Sequence, residues 1–316
     1  MSSLSILVVG ATGNTGISVV KNLSQLLSSL PSSSNVPRQI IALTRNANSA
    51  VSKQLAQLNH VKVIEKDWTS INSAWLTEAK VARVYLAPHN LPHQFVDESK
   101  FLIACKAAKI EYLVKLSTDI HFIGPDSFIY YGRSHWAIEN LLEQPEFRQL
   151  NWTVLRANFF IGTIISTSID WLKKNKTNDP MPLLLDEKAP VALIDPEDVG
   201  EAAAKLLALN DPSPHYEKKY NLSGPEDVTG NDVVSILEQI THRKIEGDYK
   251  NLAPFIALRE QGGYPESTWD SLEYGINKIL WTGVSRLANT PTSPELLLLS
   301  PPHSTVKEFI QRAFNN

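Results

Sequence analysis

Tyr131 and His135 stand four residues apart in Tyr130-Tyr131-Gly132-Arg133-Ser134-His135. On a helix that spacing puts both side chains on one face. A phenol able to give a proton would then lie beside an imidazole that titrates near neutrality. Ser117, Thr118 and Asp119 follow the apolar run from Tyr112 to Leu116. At the end of a strand, a hydroxyl can face a ligand and a pocket carboxylate can act as general acid or base. Tyr131, His135, Ser117 and Asp119 are therefore the candidate catalytic residues. Each also has a plainer reading: wall aromatic, hydrogen-bonded core histidine, turn hydroxyl and helix cap respectively. Gly132 leaves open whether Tyr131 lies inside the helix or just before it.

The strongest local signal is Gly10-Ala-Thr12-Gly13-Asn14-Thr15-Gly16, directly after an apolar run and opening a helical pattern. Glycines at this spacing allow a tight turn, close approach of backbone to a pyrophosphate, and close helix–strand packing. The amides of Gly13, Asn14, Thr15 and Gly16 would point at the phosphates from the helix N-terminus. The second strand ends in Thr44-Arg45 rather than in an acid. A carboxylate there would repel a ribose 2′-phosphate, whereas Arg45 can pair with it, so NADP(H) is the expected cofactor. Asp67 and Trp68 suit the adenine rim, and Ala87, Pro88 and Ser117 would line the trough.

These residues need a scaffold of alternating strands and helices. Strands are expected at Ser5–Val9, Gln39–Thr44, Val61–Glu65, Val81–Ala87, Tyr112–Leu116 and Trp152–Arg156, apolar on both faces as buried parallel strands are. Helical patterns fall near Gly16–Leu30, Val51–Leu58, Ala74–Glu78, Asp97–Lys109 and Ser134–Leu142. Beyond Arg156, Asp179-Pro-Met-Pro182 reads as a breaker, with strands at Val191–Ile194 and Tyr220–Ser223. Asp195-Pro196 and Thr229-Gly-Asn-Asp232 read as helix starts. The expected fold class is α/β, a Rossmann-type doubly wound parallel sheet with a smaller C-terminal lobe. Residues 1–156, with 190–223 returning, form the dinucleotide-binding domain in this reading; residues 157–189 and 224–316 form the substrate-binding lobe.

Composition narrows the function. The formal net charge of −3 and the lack of a basic cluster argue against nucleic acid. No apolar run is long enough to span a bilayer, and the N-terminus lacks a signal-peptide pattern. The single cysteine, Cys105, excludes an intrachain disulfide and reads as a buried packing thiol, so a cytoplasmic protein is expected. The eight histidines show no paired ligand spacing, and no metal is expected.

The chain resembles the NmrA-like family of atypical short-chain dehydrogenase/reductases. Beyond the glycine loop, the resemblance rests on Leu113-Val-Lys-Leu-Ser117, His135-Trp-Ala-Ile-Glu139, Thr153-Val-Leu-Arg156-Ala-Asn-Phe159-Phe160, Asp195-Pro-Glu-Asp198-Val-Gly200, Tyr220-Asn-Leu-Ser-Gly224-Pro225 and the closing segment from Ser300 to Phe309. The pattern is similar to fungal secondary-metabolism members, the festuclavine dehydrogenase-like enzymes of alkaloid biosynthesis. In conventional relatives a Tyr-x-x-x-Lys pair donates the proton and holds the nicotinamide ribose. Here His135 stands in the lysine's place and would bind the ribose as a weaker activator of Tyr131. The resemblance implies that Asn158 and Phe159 face the nicotinamide; Phe160, Trp171 and Met181 read either as an apolar substrate wall or as simple core. It implies an NADPH-dependent reductase of a small apolar or aromatic metabolite, reducing C=O, C=N or conjugated C=C. Two alternatives stand beside it: a non-redox enzyme keeping NADP(H) for cyclisation or isomerisation, and an NADP(H)-sensing regulator with a protein partner. A monomer or homodimer fits equally.

Overall fold

The computed structural model describes residues 4–31, 34–87, 89–174, 179–260 and 264–315. Pro88 lies outside them. The first half of the chain runs β1 (Ser5–Val9), α1 (Gly16–Ser29), β2 (Gln39–Thr44), α2 (Ala50–Leu55), β3 (Val61–Glu65), α3 (Ser73–Glu78), β4 (Val81–Leu86), α4 (Gln94–Ala107), β5 (Tyr112–Thr118), α5 (Tyr130–Leu142) and β6 (Trp152–Ala157). It continues through α6 (Ile161–Lys174), β7 (Met181–Leu183), α7 (Pro196–Ala208), β8 (Lys218–Leu222), α8 (Gly230–Thr241) and β9 (Gly247–Tyr249). Helices α9 (Ala253–Glu260), α10 (Glu266–Lys278), α11 (Pro294–Leu299) and α12 (Val306–Asn315) complete it.

Seven strands form one parallel sheet in the order β3-β2-β1-β4-β5-β6-β8. Strand alternation divides the core between its two faces. Ile6, Val8, Tyr85, Val114 and Leu155 pack toward α1 and α7. Leu7, Val84, Leu113 and Val154 pack toward α4 and α5 with Phe101, Cys105 and Ile138. The strand order turns back between β1 and β4, and there the carboxyl ends open a crevice of the kind in which α/β sheets bind ligands. A third core, including Ile165, Met181, Leu237 and Ile310, joins α6, β7, α8 and α12 over that edge. This is the expected Rossmann-type doubly wound fold.

Cys105 is fully buried in the α4 face, and burial pushes its thiol well above the ordinary range. Native protein should therefore fail to react with a disulfide reagent such as Ellman's, and one thiol should appear on unfolding in guanidinium. Rapid labelling of native protein would contradict the placement.

Three local expectations need correction. Val191–Ile194 is extended but forms no ladder. Its hydrogen bonds go to four places: Val228, Ser285, Gly224 and the Phe159–Ile161 segment. The segment is extended, as its apolar pattern predicts, but no single neighbour runs alongside it. The expected breaker at Asp179–Pro182 instead enters a two-stranded parallel ladder of β7 with β9. Met181 N–H donates to Glu246 at 2.7 Å, and Pro182 falls between the bonded positions, where its missing N–H costs nothing. Helix α5 starts at Tyr130, four residues before the expected Ser134, because the Tyr130 N–H donates to the Ser271 hydroxyl of α10 at 2.7 Å. That cap comes from across the fold and leaves no mark in the local sequence.

Candidate active site

The loop after β1 begins the site. Gly10 takes φ +82° and accepts the Gly13 N–H at 2.9 Å, turning the chain back on itself into α1. Thr15 makes no side-chain cap, and the first turn of α1 holds no acid. The positive end of the helix is thus left uncompensated by protein, as an anion site requires. Thr15 is buried and accepts from the Tyr85 hydroxyl at 2.8 Å, so it anchors the loop from below. Gly10, Gly13, Asn14 and Thr15 line a cavity of about 350 Å³ that runs over the ends of β5 and β6. Ala87, Ser117, Asp119, Tyr131, His135, Asn158, Phe159 and Phe160 line it too, so most of the expected site residues meet there. Gly16 and Thr12 belong to the same loop without facing this cavity.

Other expected residues lie elsewhere. Arg45 is exposed at the end of β2, its guanidinium 3.3 Å from Nε2 of His89, a cavity residue that the sequence reading missed. Burial and the Arg45 charge both lower the His89 pKa, so the cation there is Arg45. Asp67 caps its own turn by accepting from Thr69, and Trp68 packs edge-on against Phe101 at 5.8 Å, so neither lines the cavity. Met181 is fully buried in the third core, and Trp171 borders a separate depression with Asp179 and Glu246. Neither forms a wall of the cavity. Phe122, at 5.6 Å from the Tyr131 ring and 5.3 Å from Phe159, supplies the missing aromatic face.

The hydroxyls and acids divide by strand face. Lys115 and Ser117 of β5 point toward α4 and α5, and Thr118 and Asp119 end the strand above them. Ser117 Oγ donates to Glu139 Oε1 at 2.7 Å, so its proton is directed inward and not at a ligand. Glu139 is buried and pairs with Arg156 of β6 at 2.5 Å. Thr118 also lines the cavity, a second hydroxyl there that the sequence pattern does not select. Burial, then the neighbouring Tyr130 and Asp119, push the Tyr131 hydroxyl well above its ordinary range. Asp119 accepts from His121 N at 2.7 Å and from its ring at 2.9 Å, so it does cap the turn after β5 while its residue lines the cavity. Asn158 also lines the cavity, but its amide donates to Ser223 and the Ser285 carbonyl and accepts from Phe159 N, fixing the lobe rather than facing a ligand.

His135 is buried, and its pKa lies well below 6.5, first through burial and then through Lys115. An unfolded chain's imidazole takes up a proton below about pH 6.5 while the folded one does not, so the unfolded state binds more protons there. Stability is therefore complete above that pH and falls as pH drops through it. Melting temperature should decline from about pH 7 to about pH 5, and less steeply in His135→Gln. Equal slopes would contradict the buried neutral state.

The fold also gathers Asp198, Glu201 and His303, whose ligand atoms lie within 4.8 Å of one another, a grouping that spacing alone did not reveal. Asp198 accepts the N–H groups of His303 and Ser304 at 3.1 and 3.0 Å, and Glu201 pairs with Lys205 at 2.6 Å. These acids tie the C-terminal segment to α7.

Comparisons with known proteins agree with this architecture. The profile of the NmrA-like family matches residues 2–273. No curated protein matches the sequence. Among solved structures, triphenylmethane reductase of Citrobacter sp., complexed with NADP(H), is 21% identical with a TM-score of 0.71, over 98% of this chain and 100% of that one. The NADPH-dependent quinone oxidoreductase of Escherichia coli, complexed with NADPH, is 22% identical with a TM-score of 0.71, over 98% and 100%. A nucleoside-diphosphate-sugar epimerase of Staphylococcus aureus is 14% identical with a TM-score of 0.69, over 98% and 99%. At such identities the likeness is one of fold.

Proposed function

The chain belongs to the NmrA-like family, and from that premise we propose that it is an NADPH-dependent reductase of a small apolar or aromatic substrate. One observation carries the reading: an acid-free, uncapped start of α1, packed so tightly on the Gly10 carbonyl that no Cβ fits at Gly16, opens onto an aromatic-walled cavity. Backbone amides of Gly13 to Gly16 would hold the pyrophosphate, and Arg45 with His89 would receive the ribose 2′-phosphate. Bound there, NADPH supplies a hydride. Phe122, Tyr131, Phe159 and Phe160 exclude water and orient a flat acceptor. Tyr131 with Thr118 delivers a proton where the product needs one. The fold is shared, over 98% of the chain, with a triphenylmethane reductase and a quinone oxidoreductase crystallised with NADP(H).

Arg45→Ala is expected to weaken NADPH by roughly tenfold or more and leave NADH nearly unchanged, since a charge-assisted bond contributes about 1.5–3 kcal/mol. Steady-state KM values for both nucleotides check this. Incubation with quinones, triarylmethane dyes and cyclic iminium ions should consume NADPH absorbance. The raised Tyr131 pKa, a poor feature in a proton donor, favours a second reading: non-redox isomerisation or cyclisation around Asp119. Product formation at constant NADPH would select it. Binding without any turnover, with a protein partner sensitive to the NADP(H) state, would select the regulator.

A further inference from the structure

Behind the cavity, four side chains run in line from the interior to the cavity wall. Glu98 of α4 pairs with Lys115 of β5 at 3.0 Å, neither side chain exposed at all. Lys115 Nζ donates to the Leu116 carbonyl at 2.8 Å and reaches Nδ1 of His135 at 3.0 Å. Nε2 of His135 lies 3.1 Å from Oδ1 of Asn90, and both of these residues line the cavity. An ammonium has protons and no lone pair, so Nδ1 must be the accepting nitrogen and the imidazole proton sits on Nε2. That proton is donated to Asn90 Oδ1, which turns the Asn90 amide N–H groups away from the histidine.

Building on the reductase reading of this cavity, we infer that Glu98 and Lys115 are positioning residues that fix His135 as a neutral Nε2–H donor and, through it, aim the Asn90 amide at the ligand. Gln94 closes the remaining side of the imidazole. Its amide donates to Glu98 Oε1 at 2.6 Å, which orients its nitrogen to within 3.3 and 3.4 Å of the two ring nitrogens. The charged and titratable groups around the ring are thus Lys115 from β5, Glu98 acting through it from α4, and Tyr131 on the histidine's own helix, its ring 6.3 Å away. A histidine so held does not serve as an acid. It is a fixed dipole between a buried ion pair and the site, and the lysine sets which of its nitrogens faces out.

Removing Lys115 alone would leave the Glu98 carboxylate buried without a partner, so the informative variant is Lys115→Met/Glu98→Gln, which removes both charges. Long-range proton–nitrogen NMR reads the His135 ring directly. In the wild-type protein a single Nε2–H tautomer should persist without titrating from about pH 8 to about pH 5.5. In the double variant the signal should become a mixture of tautomers, with a protonation midpoint higher than in the wild type although burial still holds it below the ordinary imidazole value. With an acceptor that the wild-type protein reduces, kcat/KM should fall roughly tenfold and gain a pH dependence below neutrality that the wild type lacks. A wild-type His135 that titrates normally, or a double variant that keeps the Nε2–H tautomer and the wild-type pH profile, overturns the inference. If the double variant does not fold, the wild-type spectrum alone decides. A protein with the expected spectrum that leaves NADPH unoxidised in the presence of every one of the quinones, triarylmethane dyes and cyclic iminium ions overturns the reductase reading instead, and the tautomer assignment stands.

Discussion

Gly16→Ala should lose nucleotide binding by about a hundredfold or more while the protein remains folded. A Cβ built at Gly16 lies 2.0 Å from the Gly10 carbonyl oxygen and 2.7 Å from its carbon. Both are backbone atoms, so no side chain can move aside and the loop itself must shift. The same carbonyl accepts the Gly13 N–H at 2.9 Å, so the shift propagates through the turn that aims the amides. Overpacking of this kind costs about 1–3 kcal/mol of stability. The binding loss is larger, because two displaced amide–phosphate bonds at about 1.5–3 kcal/mol each amount to two to four powers of ten in Kd. Calorimetric titration with NADPH alongside a thermal melt separates the two effects. Wild-type affinity in a folded variant would mean that the nucleotide does not touch this loop.

Glu139→Ala should be strongly destabilising. Its carboxylate holds Arg156 at 2.5 Å, Lys219 at 3.7 Å and the Ser117 hydroxyl at 2.7 Å, with only 1% of the residue exposed. Deleting one partner of a buried pair costs about 3–5 kcal/mol, chiefly because the Arg156 charge is left without compensation at 15% exposure. A melting temperature lower by roughly 5–8 °C is expected. Glu139→Gln keeps the acceptor for Ser117 and should lose about half as much. A melt unchanged by Glu139→Ala would show that the pair is open to solvent.

What the sequence revealed and what it concealed have physical reasons. The glycine loop was legible because tight turns and anion-binding helix ends are local: their requirements fall on adjacent residues. The capping box at Thr229 and Asp232 was legible for the same reason. Lys115 was not selected, because within Leu113-Val-Lys-Leu-Ser117 it reads as one polar residue in an apolar strand. A signal did exist. If the strand is covered on both faces, a lysine sharing the face of Leu113 and Ser117 has no water to reach and must find a buried acid. Glu98 and Gln94, four apart on α4, are that answer, and only the packing of α4 on α5 brings them together. Phe122 and Asn90 had no such signal; loops carried them to the cavity. Met181 misled for the opposite reason, since an apolar residue near a site serves equally well as core.

The central claim is that the start of α1 holds a pyrophosphate and Arg45 selects the phosphorylated ribose. Calorimetric titration of nucleotide-free protein with NADPH and, separately, NADH tests it most directly. Saturable binding of both, with NADPH tighter by about tenfold or more, is the expected result. No heat from either nucleotide, or NADH bound as tightly as NADPH, would contradict it.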